Sequence, residues 1–136
     1  MTQKAYEKWK KKFLNSLSKE MEKDIVKEVD DNILYGFTKS ELKWPPLSPA
    51  RAAWKKKNGK SLEGLKNHGN MAKATDTQIK ISGNTIHIKV QNNQNYSGIH
   101  EEGLGNAPKR AFIKPAVQKC LKNTGRIAAR AAKNIK

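Results

Sequence analysis

The sequence predicts an α+β fold, a small antiparallel β-sheet packed by a long N-terminal helix and a C-terminal helix. Three stretches predict it: an uninterrupted run of helix formers over residues 2–34, isoleucines alternating around Gly83-Asn84 over residues 77–91, and a basic amphipathic segment over 115–134. At 136 residues the chain is expected to form a single domain, 1–136, with one modest core.

The first helix follows from composition and period. Residues 2–34 contain no Gly or Pro, and apolar side chains recur at Tyr6, Trp9, Phe13, Leu17, Met21, Ile25, Val29 and Ile33. From Trp9 onward the spacing is four, so each step turns the stripe by about 40° on a helix of 3.6 residues per turn. The stripe therefore winds around the rod. Either the helix bends, or its two halves meet different partners, one of them in a neighbouring subunit.

Tyr35-Gly36-Phe37 ends this helix, and Trp44-Pro45-Pro46-Leu47-Ser48-Pro49 follows as a Pro-rich linker, 44–49. Ser48 before Pro49 starts a short helix: the hydroxyl caps an orphan N–H, and Pro stands where no donor is needed. That helix should run over 49–57 and stop at Asn58-Gly59. Residues 60–75 read as a turn and a short helical piece.

With Gly83-Asn84 as a two-residue loop, Ser82 faces Thr85, Ile81 faces Ile86, Ile79 faces Ile88 and Thr77 faces Val90. Strands 77–82 and 85–91 then put Ile79, Ile81, Ile86, Ile88 and Val90 on one buried face, with Gln78, Lys80, His87 and Lys89 on the wet face. A lone hairpin is marginal, so helices must cover its apolar side. After the polar loop 92–95, residues 96–103 form a helical turn and 103–106 a loop. Pro115 opens the last helix, with Ile113, Val117, Cys120, Leu121, Ile127, Ala128, Ala131 and Ile135 on one side.

The chemistry-bearing residues are few. Among His68, His87, His100, Cys120 and Glu101-Glu102 there is no CxxC or HExxH spacing, and each is read as structural or superficial. Gly103-Leu104-Gly105 precedes no dinucleotide-binding unit. Cys120 on an apolar helix face is an inert thiol. The expectation is a protein that is not an enzyme, with no catalytic residue, no metal and no cofactor. The start MTQKAYEKWKKK lacks a signal-peptide apolar stretch, and no run is long enough to span a membrane, so an intracellular site of synthesis is expected.

Charge is the informative quantity. The net charge is +16, and residues 107–136 carry nine basic groups and no acidic one. Lys109, Arg110, Lys114, Lys119, Lys122, Arg126, Arg130 and Lys133 form the candidate basic surface, the helical ones opposite the apolar stripe. Its expected partner is an acidic protein surface or DNA rather than a membrane. A nucleic-acid-binding protein using this helix is the alternative function, although no helix-turn-helix, zinc or RNA-binding-sheet signature accompanies it. Trp54 among the basic residues of 51–60 could stack on bases, but its place in a short amphipathic helix points to the core.

The order of these pieces resembles the phage virion-morphogenesis or tail-completion (neck) protein family of Mu-like, P2-like and lambdoid tailed phages. The residues that carry the resemblance are Trp44-Pro45-Pro46-Leu47-Ser48-Pro49 with the Lys-rich helix after it, the segment 62–71, the hairpin, Tyr96-Ser97-Gly98-Ile99-His100-Glu101-Glu102-Gly103, and Pro108-Lys109-Arg110-Ala111-Phe112-Ile113. They lie within roughly residues 40–120. Asn67-His68-Gly69-Asn70-Met71 departs from the family's Thr-Gly-x-Leu, and Ser97 stands where Ala is common. The resemblance implies a non-enzymatic virion structural protein, a homo-oligomeric, hexameric ring at the head–tail junction or head-proximal tail end. Its implied partners are neck, connector and tail-tube proteins and packaged DNA; its implied location is the virion, and the host cytoplasm during assembly.

Overall fold

The computed structural model describes residues 2–65, 74–93, 97–103 and 108–135. In chain order the elements are α1 (Gln3–Tyr35), two 3-10 turns (Gly36–Thr38 and Ser40–Leu42), α2 (Pro49–Lys57), β1 (Thr75–Ser82), β2 (Thr85–Asn92), α3 (Ser97–Glu102), α4 (Lys114–Lys122) and α5 (Thr124–Lys133). The fold is α+β, as the sequence predicts.

The long helix is continuous, capped by the Thr2 hydroxyl, which accepts from the Ala5 N–H at 3.0 Å. Only the C-terminal half of its winding stripe enters the core. Ile25, Val29 and Ile33 are fully inside, packed with Phe112, Ala116, Cys120 and Ile127, while Leu17 and Met21 lie at the margin. At the other end Tyr6 and Trp9 stay 44% and 40% exposed, and Trp9 stacks on Phe13 at 5.3 Å. The first three turns of α1 thus form an arm whose aromatic side faces away from the core.

The hairpin has the predicted register, Ile81 opposite Ile86, Ile79 opposite Ile88 and Thr77 opposite Val90, and extends to Thr75 opposite Asn92. It lies along α1, with the Thr77 hydroxyl donating to Glu22 at 2.6 Å and the Thr75 hydroxyl to Asp30 at 2.9 Å. The loop thereby comes beside the arm, across a cleft of about 590 Å³ lined by Glu7, Lys10, Lys11, Leu14, Asn15, Ile81 and Gly83. The expected burial of the hairpin's apolar side is only half met. Ile79, Ile81, Ile86, Ile88 and Val90 are all half-buried; Ile88 and Val90 reach the core, and the loop end is open.

The last helix, expected as one element over 115–134, is divided at Asn123. Thr124 turns its hydroxyl back to the Leu121 carbonyl at 2.7 Å and Gly125 follows, two residues that favour ending a helix over continuing it. Both pieces lie against α1, and the Ser16 hydroxyl donates to the Ala131 carbonyl at 2.9 Å. Cys120, Ile127 and Ala131 are buried as expected, but Leu121, assigned to the same apolar side, is 60% exposed. It sits at the edge of that side, turned away from α1. Burial, with the Asp24 carboxylate adding to it, pushes the Cys120 thiol above its ordinary pKa, in keeping with the inert thiol expected.

These burial differences order the hairpin substitutions. Ile88→Lys should cost about 3 kcal/mol, Ile81→Lys at the open end about 1 kcal/mol, and Lys80→Ile on the wet face within about 0.5 kcal/mol, measured by urea unfolding. Equal costs for Ile88→Lys and Lys80→Ile would mean the faces are misassigned.

Candidate partner-binding surface

The candidate surface is carried by α4 and α5, and a clasp in the segment before them fixes where it points. Residues 110–113 form no regular element, so their backbone groups need partners from elsewhere. Side chains supply them. The Glu101 carboxylate, at the end of α3, accepts from the backbone N–H groups of Phe112 at 2.7 Å, Ile113 at 3.0 Å and Lys114 at 2.9 Å. It serves as the N-terminal anion of α4, where the dipole and orphan donors favour negative charge. Trp44 Nε1 donates to the Ala111 carbonyl at 2.8 Å, and Asn32 Nδ2 donates to the Phe112 carbonyl at 3.0 Å.

Arg110 completes the clasp from the other side. Its Nε donates to the Pro45 carbonyl at 3.0 Å and its Nη2 to the Pro46 carbonyl at 2.9 Å, while its guanidinium lies 5.1 Å over the Phe37 ring. The Trp44 ring meets Phe37 edge-on at 5.2 Å and lies so close over Gly36 that a Cβ there would run into it. Gly64 is held the same way: a Cβ would collide with the Ile33 and Leu34 carbonyls, next to the bond from the Leu65 N–H to the Ile33 carbonyl at 2.7 Å. The motif residues Trp44, Pro45, Pro46, Glu101, Arg110 and Phe112 therefore meet in one place. Tyr96 and residues 66–71 of the middle motif, with the expected loop at 104–106, lie outside the described residues.

Of the eight residues expected on a basic surface, the structure turns Arg110 inward: it is 8% exposed and held in the clasp through Nε and Nη2. Its neighbour Lys109 is exposed. Lys119 and Arg130 stand at the flank nearest α1 and reach its carboxylates, Lys119 to Glu28 at 3.0 Å and Arg130 to Glu20 at 3.4 Å and Asp24 at 3.3 Å. The acidic residues of the first 44 thus partly neutralise the last helices, a pairing that counting charge by segment conceals. Lys114, Lys122, Arg126 and Lys133 are exposed and make no ion pair among the described residues, and they are what remains of the outward basic face. Trp54, expected in the core, is 41% exposed under the Arg51 guanidinium at 4.4 Å.

Compared with known proteins, the chain is 43% identical over 133 residues to the uncharacterized protein MJ0331 of Methanocaldococcus jannaschii, covering 96% of this chain and 98% of that protein. The chain belongs to the MJ0331 family. No family model matches it, and no solved structure matches it. In this member of the MJ0331 family, sequence reasoning missed Glu101 as the anchor of the last helices. Nothing in a Glu-Glu pair indicates which carboxylate bends toward backbone donors eleven to thirteen residues on.

Two predictions follow from the clasp. Glu101→Ala orphans three backbone donors and should cost about 3 kcal/mol in urea unfolding, with Glu102→Ala on the exposed neighbour near zero. His100 is held below its ordinary imidazole pKa of 6.5 by burial, then by Arg110 and Lys55. The unfolded chain therefore binds this proton more readily, and stability, full above about 6.5, should fall as pH drops through that value. Glu28 is raised by burial but lowered more by Lys119 and Lys39, so its contribution is lost further down, below 4.5. Urea midpoints between about pH 5 and 7.5 should show the first loss in the wild type and its disappearance in His100→Gln.

Proposed function

We propose that this protein is a non-enzymatic structural component of a tailed virus, assembling as a homo-oligomeric ring at the head–tail junction or head-proximal tail end. The observation that carries the reading is the convergence of the motif residues. The Trp-Pro-Pro start is distant in sequence from the neighbouring His-Glu and Pro-Lys-Arg-Ala-Phe elements, and the residues that make the resemblance hold one another through Arg110, Glu101 and Trp44. The elements the resemblance sets in order thus form one structural unit here, as a shared fold requires.

Two surfaces fit an assembling subunit. The arm of α1 leaves Tyr6 and Trp9 half in water, and the loop end of the hairpin leaves Ile81 partly uncovered. A neighbouring copy that covered them would supply the second partner which the winding stripe calls for. The outward face of Lys114, Lys122, Arg126 and Lys133 is then free for an acidic neighbour or for DNA, and its attraction weakens as ionic strength rises. The exposed Arg51–Trp54 pair favours a second reading, nucleic-acid binding, since base stacking uses such a platform.

The test is a virus carrying Lys122→Glu, Arg126→Glu and Lys133→Glu, which spares the pairs to α1. The protein should fold while particles accumulate as unjoined heads and tails in electron micrographs. Normal joining, or a residue-level map of the neck and tail without this chain, would overturn the reading. Salt-dependent binding of single-stranded DNA by the isolated subunit, abolished by Trp54→Ala with Arg51→Ala, would favour the second one.

A further inference from the structure

Between α2 and the clasp, positive charges gather without a counterion among the described residues. Lys55 is 2% exposed, and its Nζ donates to the Ser61 carbonyl at 3.1 Å and the Gly64 carbonyl at 2.8 Å. Arg110 lies over Phe37, whose N–H bonds the Glu63 carbonyl at 2.8 Å, one residue before the carbonyl that receives Lys55. Arg51 stands one helical turn before Lys55 in α2, on the same side and exposed.

Donor accounting shows what this cluster lacks. A lysine ammonium and an arginine guanidinium together offer about eight N–H donors. Backbone carbonyls take four here, at Pro45, Pro46, Ser61 and Gly64. No carboxylate pairs with Arg51, Lys55 or Arg110 among the described residues. Glu101, on the same clasp, is committed to the N–H groups of Phe112, Ile113 and Lys114. Buried cations are ordinarily paired, because carbonyl dipoles solvate them without cancelling their mutual repulsion.

We propose that Arg51, Lys55 and Arg110 form an oxyanion-binding site that takes a phosphoryl or sulfate group. A tetrahedral oxyanion brings several acceptor oxygens and a charge of the missing sign, and meets guanidinium and ammonium donors in charge-assisted bonds. Of the three, Arg51 is exposed and Lys55 and Arg110 are buried, so an anion would meet Arg51 first. Burial, then repulsion from Arg51 and Arg110, draws the Lys55 ammonium below its ordinary pKa, a penalty that a bound anion reverses. The site stands on these residues alone and does not rest on the virion reading.

Isothermal titration of the full chain with inorganic phosphate and with sulfate, at fixed ionic strength set by sodium chloride, tests it. Saturable binding is expected in the wild type. Lys55→Met, which keeps the stem and removes the charge, should weaken it about tenfold or more, and Arg51→Gln several-fold. Arg51 is on the surface, so that variant folds even if Lys55→Met does not. No saturable binding by the wild type, or binding unchanged in the folded variants, would overturn the proposal. A 5′-phosphorylated oligonucleotide that outcompetes inorganic phosphate, where its unphosphorylated form does not, would assign the site to nucleic-acid ends; failure to compete would assign it to the free ion.

Discussion

A stretch of backbone with no ladder of its own must borrow hydrogen-bond partners, and the fold depends on how residues 110–114 do so. Three donors go to one carboxylate, Glu101, and two carbonyls take side-chain N–H groups from Trp44 and Asn32. Those three side chains come from α3, the linker before α2, and α1. One irregular segment therefore ties elements separated by up to 80 residues of chain. Phe112 at its centre is wholly buried against α1. The Phe112 carbonyl, in its buried bond from Asn32, could turn to water only if Phe112 left the core, so there hydrogen bonding and apolar burial reinforce each other.

The second constraint is that α1 must serve two sides. Its buried residues meet Phe112, α4 and α5, while its flanking carboxylates Glu20, Asp24 and Glu28 receive Arg130 and Lys119. These partly exposed pairs contribute modestly to stability. Their larger effect is on the surface: they remove two cations from the outward face and leave Lys114, Lys122, Arg126 and Lys133 exposed. Because the apolar stripe keeps winding toward the N-terminus, its aromatic end has no covering element among the described residues.

Much of this was legible in the sequence. The N-terminal helix, the Ser48-capped helix over 49–57 and the hairpin register were legible because each rests on local rules: period, caps and a two-residue turn. The winding stripe left two outcomes open, a bent helix or halves with different partners, and the half-exposed Tyr6 and Trp9 show only that its N-terminal end has no cover among the described residues. What escaped were long-range choices. Arg110 reads like any member of a basic run until Pro45 and Pro46 are placed beside it. Lys119 and Arg130 share a helix face with Lys122, and only the position of α1 decides that they are paired. Leu121 and Cys120 are consecutive in sequence but about 100° apart on the wheel, at two ends of a broad apolar arc, and only Cys120 is buried. The division at Asn123 needed the Thr124 back-bond, which competes with a helix that Ala-rich composition favours.

The central claim is that the segment before α4 is the most tightly held part of the molecule and the arm of α1 the least. Native-state hydrogen exchange tests it most directly. The amides of Phe112 and Ile113, though outside regular structure, should exchange only by global unfolding, with protection tracking the stability measured in urea. Amides over residues 4–12, though helical, should exchange through local fraying with far weaker protection. Exchange of Phe112 and Ile113 as fast as that of the arm would contradict the claim.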